Sequence, residues 1–212
     1  MVESQVRPNG ITDHRIIDAM AQVRREDFVP ASHKDIAYLD EDVLIKADAR
    51  GEARYLIEPM AFARMIHLAT IKPTDRVLVV GAGSGYGAKI ISMLAAQVTA
   101  LESDDALAGM ARELLSDCSN VEVVVGPLAA GHAGSGPYDV IVIEGRIAEV
   151  PESLIAQLKD EGRIVAAIGM FDVARINLLT VTGGHRSSRG AFDVTIAPLP
   201  GFAVAKLPFV FE

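Results

Sequence analysis

Three glycines at alternate positions, Gly81, Gly83 and Gly85, follow directly on the apolar run Val77–Val80 and precede a helical pattern that starts at Tyr86. Glycine admits positive φ and carries no Cβ, so a strand-to-helix turn built this way lets a ligand approach the backbone closely. Amides at the start of the following helix would face an anionic group of that ligand. The stretch Gly81, Ala82, Gly83, Ser84, Gly85, Tyr86 is therefore a candidate binding turn for a nucleotide-type cofactor. Its spacing narrows the choice. A dinucleotide fingerprint places its third glycine at position 86, which is Tyr86. A phosphate loop needs Gly-Lys-Ser/Thr, and none follows. Glu102 stands seventeen residues beyond Gly85, at the end of the next apolar run. A carboxylate there can accept from the 2′ and 3′ hydroxyls of a ribose. Other reactive residues carry less. Cys118 is the only cysteine, in a segment that reads as the end of a helix. His67 and His132 lack metal-ligand spacing, so no metal is expected.

The elements that must hold these residues are legible from Asp75 onward. The runs Val77–Val80, Val98–Leu101, Val121–Val125, Val140–Ile143 and Ile164–Ile168 are of strand length and rich in branched residues. Between them lie helical patterns at Tyr86–Ala96, Asp104–Leu115 and Pro151–Leu158. Continuously apolar strands alternating with helices predict an α/β fold, a doubly wound and mostly parallel sheet covered on both faces. Asn177–Thr182 and Ala191–Ala197 flank GGHRSSRG and read as an antiparallel hairpin with a solvated basic tip, and Ala203–Phe211 as a last strand. Residues 1–73 read as a helical cap integral to the domain, and 74–212 as a Rossmann-like core. In the cap, Thr12 is placed to cap a helix carrying Ile16, Met20 and Val23 on one face, which Pro30 closes. Pro59 begins a second helix carrying Phe62, Ile66 and Ala69. The acid-rich stretch from Ala31 to Arg54 reads as an exposed loop with a short extended piece at Val43–Ile45.

Composition excludes several classes. The 212 residues are 50% hydrophobic and 23% charged, enough for one compact domain with a sizeable core. A net charge of −8 argues against a general nucleic-acid partner. A lone cysteine rules out an internal disulfide and fits a reducing compartment. The chain has no signal-peptide pattern and no apolar run long enough to span a bilayer, so a cytoplasmic protein without a membrane partner is expected.

GAGSGYGAKI, a following strand ending in LESD, the segment PYDVIVIEGRIAEVPESLIAQLKDEGRIV and the opening MVESQVRPNGITDHRIIDAMAQVRREDFVP together resemble the protein-L-isoaspartate O-methyltransferases. The resemblance covers nearly the whole chain, and Phe209–Phe211 falls where that family's last strand ends. It implies a class I methyltransferase fold with seven strands and a carboxyl-terminal antiparallel hairpin. It also implies S-adenosylmethionine as cofactor, held by the turn 81–86 and Glu102. The implied reaction is methyl esterification of isoaspartyl carboxylates in damaged proteins or peptides, a protein-repair activity. Arg54, Tyr55 and Glu58 fall on the substrate side.

At three places the chain departs from the family pattern. Val79 stands where an acid lies near the methionine end of the cofactor. Pro127 follows Gly126 where an acid lies near the adenine. Ile57 replaces the hydroxyl that holds the substrate carboxylate. A hydrogen bond to a charged group is worth about 1.5–3 kcal/mol, so two lost contacts predict a cofactor bound ~100-fold more weakly or worse. The alternative is a catalytically degenerate relative that serves as a binding or assembly module, or a methyltransferase with a changed substrate. Glu144 and Arg146, at the rim of the fourth parallel strand, are expected either to pair at the surface or to reshape the substrate cleft.

Overall fold

The computed structural model describes residues 1–47, 53–171 and 173–202. Its centre is a seven-stranded sheet built from β3 (Arg76–Val80), β4 (Gln97–Glu102), β5 (Val121–Val125), β6 (Tyr138–Ile147), β7 (Leu158–Ile168), β8 (Ala174–Thr182) and β9 (His185–Val194). The spatial order is β5-β4-β3-β6-β7-β8-β9. The first five of these strands run parallel, while β8 and β9 pair antiparallel. The expected fold class is therefore what the chain adopts. Alternate residues of the central strands enter two separate apolar layers. Val77, Val79, Val98, Ala100, Val140 and Val142 face one, and Leu78, Val80, Leu101, Ile141 and Ile143 face the other. Burial on both faces is why these strands read as unbroken apolar runs.

The helices are α1 (His14–Gln22), α2 (Pro59–Ala69), α3 (Tyr86–Ser92), α4 (Asp105–Leu114) and α5 (Glu152–Ile155). No helix among the described residues is long and apolar enough to cross a membrane. Asp13, not Thr12, caps α1, its carboxylate accepting from the Arg15 N–H at 2.9 Å. That helix ends at Gln22, well before Pro30. Two further helices are shorter than their apolar patterns suggest, because those patterns continue into turns and the next strand. α3 stops at Ser92, and the Pro151–Leu158 region keeps only the single turn of α5 before β7 takes up Leu158. The basic stretch near Arg186 is not a tip. The turn is Gly183-Gly184, both at positive φ, and His185 already pairs with Thr182 in the β8–β9 ladder. The strand expected at Ala203–Phe211 lies outside the described residues.

The described part of the acid-rich stretch, residues 31–47 and 53–54, is more ordered than its composition suggests. Arg25–Phe28 and Ala31–Ile36 form 3₁₀ turns, and β1 (Val43–Ala47) pairs antiparallel with β2 (Ala53–Leu56). The acids have structural work. Asp40 accepts from the Met60 N–H at 3.1 Å. Asp42 accepts from Glu58 N–H at 2.9 Å and from Ala197 N–H at 3.2 Å. The first-turn amides of α2 have no intrahelical acceptor, so Asp40 and Asp42 replace the missing side-chain cap at Glu58. Asp42→Ala is expected to cost about 1–2 kcal/mol of stability in urea unfolding. Asp42→Asn, which keeps an acceptor oxygen, is expected to lose less.

Candidate functional site

The glycine turn leaves the carboxyl end of β3 and is held from inside the protein. Gly81 and Ala82 donate to the Leu101 carbonyl at 2.9 and 3.0 Å, and Gly85 donates to Ala82 at 2.8 Å. Gly81, Gly83 and Gly85 have φ of 80°, 56° and 97°, values only glycine adopts without strain. Ser84 and Tyr86 turn toward the core. Ser84 Oγ donates to the Phe28 carbonyl at 2.6 Å. Tyr86 is buried, with its ring 5.5 Å from Phe28 and 5.8 Å from Phe62.

Glu102 ends β4 and is completely buried. Its Oε2 accepts from Gly83 N–H at 2.7 Å, and its Oε1 from Ser103 and Asp104 N–H at 2.8 and 3.0 Å. Acid and turn are thus brought together, as their spacing implied. Both oxygens also receive Arg54. Its Nη1 donates to Oε1 at 2.5 Å and its Nη2 to Oε2 at 2.8 Å, with a further bond from Nη2 to the Gly81 carbonyl at 3.1 Å. Arg54 is only 7% exposed, whereas the sequence suggested a residue of an exposed loop. The antiparallel partner strand β1 explains the difference, because it gives Arg54 a fixed direction across the turn. A second tie runs from Lys46 on β1 to Asp104, the residue after Ser103.

Apolar side chains complete the enclosure. A Cβ on Gly81 would lie 2.7 Å from Leu199 Cδ1, and one on Gly83 would lie 2.8 Å from Ile45 Cδ1. The cavity left between Arg54, Glu144, Gly145 and Leu199 measures about 10 Å³, space for a single water at most. The turn and the acid have the right chemistry for a ribose, and Arg54 holds both carboxylate oxygens while Ile45 and Leu199 pack against the turn.

The three departures from the family pattern have distinct surroundings. Val79 is fully buried in the layer that contains Phe62, Tyr86 and Ile90, where an ionised side chain would be costly without a partner. Ile57 is buried, and its carbonyl accepts from Arg25 Nη2 at 2.7 Å. Pro127 is exposed and begins the 3₁₀ turn Leu128–Ala130.

Glu144 and Arg146 do not form the surface pair that one reading of the sequence allowed. Arg146 donates to the Ile196 carbonyl at 3.2 Å. Glu144 turns inward over helix α3, and a Cβ on Gly87 would overlap its carboxyl group. Gly87 thus makes room for an acid rather than for a ligand. Burial pushes the Glu144 carboxyl up to about 8, with Arg54 opposing and Glu102 adding to the rise. Its Oε1, Tyr86 Oη and Arg25 Nη1 are all buried without a hydrogen-bond partner among the described residues.

Arg25 is a residue that sequence reasoning missed. Fully buried, it donates to the carbonyls of Ala37 and Ile57 at 2.7 Å each, and its guanidinium lies 4.9 Å from the Tyr86 ring centroid. One of two consecutive arginines in a polar stretch, it carries no periodic signal that would mark it as core.

An open cleft of about 450 Å³ lies beside the closed turn, lined by Glu41, Asp42, Glu58, Arg146, Thr195 and Pro198. Glu58 is half-buried there. Burial, with Asp40, Asp42 and Glu41 nearby, pushes its carboxyl up to about 7. Tyr55 is exposed beside this region, so of the three substrate-side candidates Tyr55 and Glu58 remain accessible and Arg54 does not. No group of residues that could hold a metal ion occurs among the described residues.

The sequence profile of the family "Protein-L-isoaspartate(D-aspartate) O-methyltransferase (PCMT)" matches residues 1–198. The chain belongs to this family. Among its relatives, the protein-L-isoaspartate O-methyltransferase of Methanoculleus marisnigri is 39% identical over 203 residues, covering 95% of this chain and 90% of its own length. The protein of the same name from Koribacter versatilis is 34% identical over 203 residues, covering 95% and 89%. A solved protein-L-isoaspartate O-methyltransferase superposes with a TM-score of 0.84 at 23% identity, over 95% of this chain and 66% of that one. A second, from Plasmodium falciparum in complex with S-adenosyl-L-homocysteine, gives 0.78 at 21% identity over 94% and 96%. Both share the class I methyltransferase fold with this member of the family.

Proposed function

We propose that this chain is an S-adenosylmethionine-dependent carboxyl O-methyltransferase acting on isoaspartyl residues of damaged proteins, in a cytoplasmic setting. The observation that carries the reading is the joining of the positive-φ turn Gly81–Gly85 to a fully buried acid, with the Gly83 N–H held on Glu102. Within the proposal, the turn residues and Glu102 are the cofactor side. Tyr55, an exposed residue, and Glu58 beside the open cleft are the substrate side. The test is methanol release from an isoaspartyl peptide at millimolar S-adenosylmethionine. Turnover above that of the matching aspartyl peptide is expected, and its absence at every protein concentration would sink the reading.

A second reading is a relative that keeps the fold as a binding module, with the side chains of Arg54, Ile45 and Leu199 held against the turn. Binding of S-adenosylhomocysteine without any peptide methylation would support a changed substrate. Absence of both would support the binding module.

A further inference from the structure

We infer that Arg54 is a built-in competitor for the cofactor turn, so that the ribose hydroxyls and its guanidinium exclude one another at Glu102. The inference rests on the cofactor assignment proposed above and adds a residue that decides access to it. Two hydroxyls that bind a carboxylate need its free lone pairs. Here Oε1 accepts from Arg54, Ser103 and Asp104, and Oε2 from Arg54 and Gly83. The backbone donors belong to the turn and to the start of the following loop, and would remain with a nucleoside in place. The guanidinium is the one donor that comes from another element. Its planar fork matches the carboxylate bidentately, the strongest neutral-pH arrangement available to these two groups. Arg54 also caps the Gly81 carbonyl, so it covers the turn as well as the acid. The hairpin is fixed in that position by Lys46 on Asp104 and by Ile45 against Gly83.

The competition is read by calorimetry with S-adenosylhomocysteine, adenosine and 2′-deoxyadenosine on the full chain. Arg54→Ala is expected to bind S-adenosylhomocysteine at least tenfold more tightly than the unmodified protein. Adenosine should show the same gain and 2′-deoxyadenosine a smaller one, because the contested atoms are those that meet the ribose hydroxyls. Glu102 keeps three backbone donors after this substitution. If Arg54→Ala nevertheless fails to fold, Arg54→Lys, which keeps the charge but loses the fork, should give an intermediate gain. Equal or weaker binding by the folded variants, with measurable binding by the unmodified protein, would overturn the competitor and leave the cofactor assignment standing. No binding of any nucleoside by either protein would overturn both.

Discussion

Replacing Glu102 by glutamine is expected to cost the folded protein about 3–5 kcal/mol, the range for breaking a buried ion pair by removal of one partner. The effect is large because Arg54 would keep a buried positive charge with no counter-charge, one of its two carboxylate acceptors replaced by an NH2 donor, and only the amide oxygen and the Gly81 carbonyl left to accept. The reverse substitution should be milder. Arg54→Met leaves Glu102 with the N–H groups of Gly83, Ser103 and Asp104, and a carboxylate accepting several backbone donors is well satisfied. Urea unfolding of the two single variants and the double variant measures both the asymmetry and the coupling. A loss below about 1 kcal/mol for Glu102→Gln would show that Arg54 finds water in solution.

The second large effect concerns Glu144 and pH. Burial pushes its carboxyl up to about 8 in the folded protein from an ordinary value of 4.5. Between those values the unfolded chain has released the proton and the folded chain retains it. The unfolded state therefore binds fewer protons, and stability falls as pH rises. Each pH unit in that window removes about 1.4 kcal/mol, and the fall levels off above about pH 8. Glu144→Gln abolishes this contribution. The variant should gain on the unmodified protein from pH 5 to pH 8, by up to ~4 kcal/mol at the top of the range. Glu58, raised to about 7 but half exposed to solvent, adds a shallower fall that persists in the variant. Parallel unfolding curves of the two proteins across the range would place Glu144 in contact with water.

The sheet was legible because its strands bury both faces. Val77–Val80 and Val140–Ile143 carry an apolar signal that no local alternative could produce. The glycine turn and Glu102 were legible because glycine and acid at a strand end each have few other uses. The plug was not. Arg54 in ARYLIEP gives no periodic or compositional sign of burial, and its partner lies 48 residues away. What places it is the β1–β2 pairing, and β1 was visible only as a short extended piece in an acid-rich stretch. Glu144 failed for a related reason. Glu144 and Arg146 share a strand face by alternation, and a surface pair follows naturally from that. Its neighbour across the chain is instead Gly87, whose missing Cβ admits the carboxyl group. Arg25 shows the limit most plainly, since a fully buried arginine is recognised only from the carbonyls of Ala37 and Ile57 that fold around it.

The setting of the Arg54–Glu102 pair also fixes which solution conditions can act on it. Surface pairs such as Arg186 with Glu152 and Arg175 with Asp193 stand in water, where mobile ions at 0.15 M screen charges beyond about 8 Å. Arg54 and Glu102 are 8% and 0% exposed at the side chain, so counterions have no access to either. Salt that dissolves the peripheral pairs leaves this one intact, and the occupancy of the turn becomes a property independent of ionic strength.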